Sequence, residues 1–121
     1  MKNKKIVVIG VSDREHKYGF KIFRDLLQAG YNVEGVNPRG IEVLGKKLHK
    51  NLQELKYIPD MAITVVNPEI TEKVVEDCKK LGIKEIWMQP GSESQAAIDK
   101  AKNYGLSVTH NACIMIQRGL W

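Results

Sequence analysis

Five short apolar runs recur along the chain, and polar or amphipathic segments separate them. The first run, residues 5–10, is rich in β-branched side chains, which is typical of a strand covered on both faces. Four further runs are also predicted to form strands: residues 31–37, 61–66, 85–89 and 106–109. Buried strands of this kind favour a parallel sheet held between two layers of helices.

The first predicted helix lies between the first two strands, over residues 20–30. Its last residue is a glycine, which suits a helix C-terminus. Its apolar residues recur at helical spacing and are expected to face the sheet: Ile22, Phe23, Leu26 and Leu27.

The second and third helices are recognised mainly from their ends. Pro68 and Glu69 both suit the first turn of a helix, and an apolar stripe follows them: Ile70, Val74, Cys78 and Leu81. Ser92 or Ser94 is expected to cap the third helix, which ends before Gly105.

Strands and helices therefore alternate along the chain, which indicates a parallel sheet with right-handed crossovers. The connection over residues 41–48 departs from this order as a small extended excursion, and a short helix is expected near residues 52–55. Residues 112–120 are apolar and fit either a strand end or a short helix. The predicted fold class is α/β: a single Rossmann-like three-layer domain over residues 1–121, with a five-stranded, mostly parallel sheet.

Composition narrows the classes of partner. No apolar run approaches the ~20 residues that cross a bilayer, and residues 6–10 are too short for the core of an export signal, so we expect a cytoplasmic protein without membrane contact. The formal net charge is +5, but the 19 lysines and arginines are scattered. Scattered charge favours a solvated surface over a nucleic-acid patch. Cys78 and Cys113 have no metal spacing and are expected to be reduced.

Three of the four prolines follow strands directly, in Asn37-Pro38, Asn67-Pro68 and Gln89-Pro90. Proline lacks the N–H that a central strand needs, so each pair ends a strand. If the strands are parallel, all three exits lie at one edge of the sheet, which is where open α/β sheets bind ligands.

The loop after the first strand has features of a phosphate site. Gly10 and Gly19 allow close backbone approach, Ser12 offers a hydroxyl, and a helix N-terminus follows. The loop is longer than a dinucleotide turn and lacks its Gly-x-Gly-x-x-Gly pattern. The candidate ligand-binding residues of this loop are Gly10, Val11, Ser12, Arg14, Lys17, Tyr18 and Gly19.

Arg39 lies where many NAD-binding enzymes have an acid for the ribose hydroxyls. A guanidinium can form a charge-assisted fork with a phosphate, which a carboxylate would repel. The second strand exit therefore favours an adenosine nucleotide with an extra phosphate on its ribose, although a solvated turn residue is the alternative.

Taken in order, these motifs resemble the small stand-alone CoA-binding domain proteins, which are similar to the CoA-binding domain of the succinyl-CoA synthetase alpha subunit. The resemblance covers essentially the whole chain through the following segments: Gly10-Val11-Ser12, Asn37-Pro38-Arg39, Val66-Asn67-Pro68-Glu69, Ile86-Trp87-Met88-Gln89-Pro90-Gly91 and Asn111-Ala112-Cys113-Ile114-Met115-Ile116.

The resemblance implies a Rossmann fold that holds coenzyme A across the carboxyl edge of the sheet. By position, the segment from Gly10 to Ser12 would lie under the pyrophosphate, and Asn37, Pro38 and Arg39 would meet the adenosine and its 3′-phosphate. The pantetheine would pass Val66, Asn67 and Pro68 and then Gln89, Pro90 and Gly91. The synthetase's phosphorylated histidine belongs to a region outside this match.

Three functions remain open. The first is binding of CoA or an acyl-CoA without catalytic residues of its own, since no catalytic or metal-ligating set is visible. The second is an NADP-binding oxidoreductase or nicotinamide sensor, with Arg39 on a 2′-phosphate. The third is a regulatory or structural subunit with a vestigial pocket, whose apolar tail would meet a protein partner or a second copy in a homodimer. A mixed disulfide between Cys113 and the CoA thiol is a further hypothesis. The alternative is that Cys113 is simply a small buried side chain.

Overall fold

The computed structural model describes residues 3–121, and its elements alternate as the sequence predicts. The strands are β1 (Lys5–Ile9), β2 (Asn32–Val36), β3 (Glu42–Val43), β4 (Lys46–Lys47), β5 (Met61–Thr64), β6 (Glu85–Met88) and β7 (Ser107–Thr109). The helices are α1 (Tyr18–Gln28), α2 (Pro68–Leu81), α3 (Gln95–Asn103) and α4 (Ile114–Gln117), and a 3₁₀ turn spans Leu52–Glu54.

Five strands form one sheet in the order β2-β1-β5-β6-β7, and all of its pairings are parallel. Ile6 of β1 is in register with Val33 on one side and Met61 on the other. The excursion predicted over residues 41–48 is the antiparallel pair β3-β4, outside the main sheet. The predicted α/β fold with a five-stranded parallel sheet is confirmed.

Helices cover both faces of the sheet, as expected for buried parallel strands. Ile6 and Val8 point into a core cluster that includes the buried side chains of α1 and α4. Val7 and Ile9 point into a second cluster, which contains the buried apolar side chains of α2 and α3. The helices that follow β1 and β5 therefore pack on opposite faces.

Two helical details differ from the sequence prediction. Helix α1 begins at Tyr18, so Gly19 lies within its first turn and not before it. Ile70 does not belong to the buried stripe of α2 and is 47% exposed, whereas Thr71 is fully buried. Thr71, in the same first turn, takes the buried position, and Ile70 lies on the wall of an apolar groove together with Val36 and Val66.

The remaining ambiguities are also resolved. Ser94, and not Ser92, caps α3 by accepting a hydrogen bond from the Ala97 N–H at 3.0 Å. Within the apolar tail, residues 114–117 form the short helix α4, and Ile114 and Met115 are fully buried.

Between residues 3 and 121, none of the helices combines the length and the apolar character needed to cross a membrane.

Candidate functional site

The carboxyl ends of β1 and β5 lie side by side at the centre of the sheet. The chain leaves β1 toward α1 on one face and leaves β5 toward α2 on the other. Diverging exits of this kind form the crevice in which open α/β sheets bind ligands. We therefore take this edge as the candidate site.

Gly10 and Gly19 bring the backbone segments of this crevice together. Gly10 has φ of +105°, and a side chain there would overlap the Val65 carbonyl at the β5 exit. A Cβ at Gly19 would overlap the Gly10 carbonyl oxygen, so the first turn of α1 rests directly on the β1 exit. The close approach that both glycines permit is therefore contact between segments of the protein itself.

The backbone amides of this loop are divided between structural and available groups. The N–H groups of Gly10 and Val11 both donate to the Val36 carbonyl, at 3.1 and 3.3 Å. The Val11 side chain is fully buried in the core. Those two amides therefore serve the link between β1 and β2.

The N-terminus of α1 is the positive end of the loop. Lys17 occupies the cap position without a side-chain cap hydrogen bond, and the first amides of a helix have no intrahelical acceptor. Ser12 Oγ accepts from the Arg14 N–H at 3.0 Å, which leaves its own proton to donate. Arg14 and Lys17 are exposed. Together these groups favour an anion.

Asn37 braces the second strand exit. Its amide nitrogen donates to the Val11 carbonyl at 2.8 Å, and its amide oxygen accepts from the Arg39 N–H at 2.8 Å. The side chain therefore ties the β2 exit to the β1 exit and shapes the turn that presents Pro38 and Arg39, which are both exposed.

The Arg39 guanidinium pairs with Asp13, with Nη2 at 3.1 Å from Oδ1. Asp13 belongs to the loop after β1, so the pair bridges the first two strand exits. Both side chains are largely exposed, and such pairs are weak in water.

An apolar groove with a volume of about 230 Å³ lies on the α2 side of the crevice. We call this one the α2 groove. Its apolar walls include Val36, Pro38, Leu52, Val66 and Ile70. The other lining residues are Ile9, Gly10, Lys50, Asn51, Lys73, Val74 and Asp77.

Sequence reasoning missed several residues of the α2 groove. Ile70 was assigned to the core, and Lys50 and Lys73 were not singled out. Lys50 packs beside the turn after β2, where a Cβ at Gly40 would touch its side chain. A lysine at a given sequence position carries no sign of such a neighbour, so sequence reasoning could not have found it.

A second space, the α4 cavity, lies on the α1 and α4 side of the crevice. Its volume is about 260 Å³, and Tyr18, Val65, Gln89, Pro90, Cys113, Ile116 and Trp121 line it. Val65 lines this cavity, whereas its neighbour Val66 lines the α2 groove. The β5 exit therefore separates the two spaces.

Gln89 is only 5% exposed, and its amide works inside the protein. Its Oε1 accepts from the Ile114 N–H at 2.8 Å, and its Nε2 lies 3.4 Å from Cys113 Sγ. Gln89 thereby fixes α4 to the β6 exit. Asn67, in contrast, is exposed and does not cap α2 with its side chain. Pro68 begins α2, and Gly91 and Pro90 are exposed at the β6 exit.

The two cysteines differ in surroundings. Cys78 is fully buried, and burial raises the pKa of its thiol to about 12. Cys113 is half-buried: it packs against the core cluster of α1 and α4 and also lines the α4 cavity. Among residues 3–121, no three His, Cys, Asp or Glu side chains are grouped to hold a metal ion.

Trp121 closes one side of the α4 cavity. Its indole N–H donates to Asp25 Oδ2 at 2.6 Å, and its ring centroid lies 6.0 Å from that of Tyr18. Asp25 also accepts from Arg24 at 2.7 Å. The Arg24 hydrogen bond, and after it the Trp121 hydrogen bond, hold the pKa of Asp25 below its ordinary value.

The family model of the CoA binding domain matches residues 4–119 of this sequence. The chain belongs to the CoA-binding domain family. This confirms the resemblance inferred from the motifs at the strand exits and agrees with the parallel sheet and its crevice.

Three relatives illustrate the match. The chain is 32% identical over 81 residues to an ADP-forming acetate–CoA ligase of Methanocaldococcus jannaschii, covering 67% of the chain and 12% of the ligase. It is 29% identical over 121 residues to the alpha subunit of an ADP-forming acetate–CoA ligase I of Pyrococcus furiosus, covering 87% of the chain and 26% of that subunit.

The third relative is a solved structure of a conserved hypothetical protein from Pyrococcus furiosus. It is 33% identical with a TM-score of 0.90, and the match covers 94% of this chain and 98% of the other. The matches thus cover 12% of the ligase and 26% of the ligase subunit, but nearly all of the small protein.

Proposed function

We propose that residues 1–121 form a single unit that binds coenzyme A or an acyl-CoA across the carboxyl edge of the sheet, without catalytic residues of its own. The observation that carries the proposal is the pair of apolar spaces on either side of the β5 exit, with an uncapped helix N-terminus beside them. CoA has a matching shape: a planar aromatic base, a charged diphosphate and a long arm. Membership of the CoA-binding domain family supports the same ligand.

In this proposal the diphosphate lies against the loop between β1 and α1. The first-turn amides of α1 and the Ser12 hydroxyl donate hydrogen bonds to it, and Arg14 and Lys17 add positive charge. Gly10 and Val11 contribute the surface of the turn, because their amides are already bonded to Val36.

The adenosine end belongs to the α2 groove. Its apolar walls suit a planar base, and Val66 and Pro38 are among them. Arg39 binds the 3′-phosphate once its ion pair with Asp13 is broken. Lys50, beside the same turn, adds a second positive charge. The 2′-phosphate of NADP would meet Arg39 by the same chemistry, but family membership favours CoA.

The pantetheine arm passes from Gly10 over the β5 exit toward the β6 exit. The exposed Asn67 side chain offers amide hydrogen bonds on this path, and Pro68 orients Asn67 by starting α2 there. The far end of this path consists of Gln89, Pro90 and Gly91. Gln89 contributes by holding α4 in place, because its side-chain oxygen accepts a hydrogen bond from the Ile114 N–H.

Any chemistry on the bound cofactor would come from a partner. The ADP-forming ligase of Pyrococcus furiosus is named as a subunit alpha, which supports a protein partner or a second copy for this chain as well. We propose a cytoplasmic site of action, with neither nucleic acid nor a membrane as partner.

Calorimetry with CoA, dephospho-CoA and NADPH tests this function. We expect CoA to bind and dephospho-CoA to bind more weakly. Arg39→Ala is expected to cost about 1–3 kcal/mol for CoA, the scale of a hydrogen bond to a charged group, and to leave dephospho-CoA unaffected.

Lys80→Ala is the matched control, because it removes one positive charge from the last turn of α2, far from its N-terminus. CoA affinity should not respond to it. Failure of wild-type protein to bind any CoA species would refute the function, and tighter binding of NADPH than of CoA would replace it.

A further inference from the structure

We infer that the α4 cavity receives the acyl group of an acyl-CoA, and that an aliphatic or aryl group of about six carbons fits it. The inference rests on the proposed function, since the thioester would reach the cavity from the carboxyl edge. It assigns the ligand class as medium-sized acyl-CoA in preference to free CoA.

The position of the cavity is the first argument. Tyr18, the first residue of α1, lines it, so it begins beside the helix terminus assigned to the diphosphate. Val65, at the β5 exit, and Pro90, at the β6 exit, also line the cavity. Gln89 and Pro90, which the proposed function places at the far end of the arm, both line the cavity, so an acyl group on the thiol would enter it at that end.

Two polar groups of the cavity wall, the Gln89 amide and the Trp121 indole N–H, are already hydrogen-bonded within the protein. The oxygen and the nitrogen of the Gln89 side chain both form hydrogen bonds within the protein. The Trp121 indole N–H donates to Asp25, and Pro90 has no backbone N–H. Pantetheine carries two amides, which are costly to bury without partners. A hydrocarbon acyl group has no such requirement.

The size of the cavity sets the size of the group. An engineered apolar cavity of about 150 Å³ binds benzene, and the α4 cavity measures about 260 Å³. A six-carbon chain or a benzoyl group fits within this volume, whereas an acetyl group would leave most of it unfilled.

Exposed apolar side chains are concentrated around the cavity. Tyr18, Ile116 and Trp121 are three of the six large apolar side chains that are exposed among residues 3–121, and all three line it. Ile116 is 62% exposed. Covering such surface favours binding, by up to about fourfold for each methylene that becomes fully buried.

Calorimetry with CoA, acetyl-CoA, hexanoyl-CoA and benzoyl-CoA tests the inference. We expect hexanoyl-CoA and benzoyl-CoA to bind at least tenfold more tightly than acetyl-CoA. Ile116→Ala and Trp121→Ala should each reduce that ratio severalfold. Ile58→Ala is the matched control, because Ile58 is 59% exposed but lies before β5, at the opposite edge of the sheet. It should leave the ratio unchanged.

Two results would overturn the inference while the proposed function survives: equal affinities for acetyl-CoA and hexanoyl-CoA, or a dimer in sedimentation that Ile116→Ala dissociates. The second result would assign the apolar face to another copy of the chain. Absence of binding by every CoA species would remove the proposed function and the inference together.

Discussion

Arg39 and Asp13 form an ion pair across the candidate site, with Nη2 of Arg39 3.1 Å from Oδ1 of Asp13. The pair joins the exits of β2 and β1. The guanidinium that the sequence assigned to a ribose phosphate is therefore held by an acid of the protein itself. The side chains are 62% and 48% exposed, so the pair exchanges easily with solvent ions.

Removing the acid of this pair should improve CoA binding. Asp13→Asn releases Arg39 and removes a negative charge next to the proposed phosphates. Exposed ion pairs are worth about 0.2–1 kcal/mol, so we expect CoA to bind about 1.4- to fivefold more tightly by calorimetry. Asp99→Asn makes the same charge change on α3 and should have no effect. Weaker CoA binding by Asp13→Asn would mean that Asp13 itself holds the ligand.

Gly19→Ala separates helix propensity from packing. Alanine in a helix is favoured over glycine by about 1 kcal/mol, so propensity alone predicts a more stable protein. The contact of Gly19 with the Gly10 carbonyl predicts the reverse, a loss of about 1–3 kcal/mol from overpacking. Urea unfolding measures the sign.

Gln28→Ala is the control for this measurement, because Gln28 is exposed in the last turn of the same helix. Its unfolding free energy should stay within about 0.5 kcal/mol of wild type. A Gly19→Ala variant at least as stable as wild type would contradict the close contact between α1 and the β1 exit.

The two cysteines should react at very different rates. Burial raises the pKa of Cys78 to about 12, so at pH 8 roughly one molecule in ten thousand carries its thiolate. A thiol reagent should therefore modify one cysteine in native protein and two in urea. Cys113→Ser should abolish the native reaction. Rapid modification of both thiols without denaturant would show that the α2 layer opens readily.

Asp25 should make stability depend on pH in acid. Its folded pKa is depressed, chiefly by the Arg24 hydrogen bond. A depressed carboxyl pKa stabilises the fold fully above the unfolded value of ~3.9, and the contribution is lost as the pH falls through the folded pKa. Asp25→Asn should thus destabilise the protein at pH 7 and have a smaller effect near pH 3. Urea midpoints across this range provide the measurement, and a pH-independent difference would exclude the carboxylate as its source.

The order of elements followed from local patterns. Each strand of the main sheet was read from a short apolar run and each long helix from a stripe and its ends, because those signals come from neighbours within a few residues. Pro68 at the start of α2 and the glycine after Leu81 are examples. Parallel pairing then placed the motifs at one edge, and the family match agrees with their order.

The orientation and mutual contacts of side chains were decided by the folded chain. Gln89 looked like a ligand-facing amide, but it turns inward to hold residues 113 and 114. Ile70 fitted the stripe of α2, but it lies partly exposed on the wall of the α2 groove. In both cases the local pattern is the same for a buried and an exposed outcome.

Sequence patterns thus specified the alternating elements, the parallel sheet and the edge at which its loops gather, because backbone propensity and burial leave a short-range imprint. The α4 cavity, in contrast, forms only in the folded chain, where Trp121 contacts Asp25 across 96 residues. The tertiary structure also places Lys50 beside the turn at Gly40. Neither contact follows from a local repeat, because each depends on how the layers and loops of the folded chain pack together.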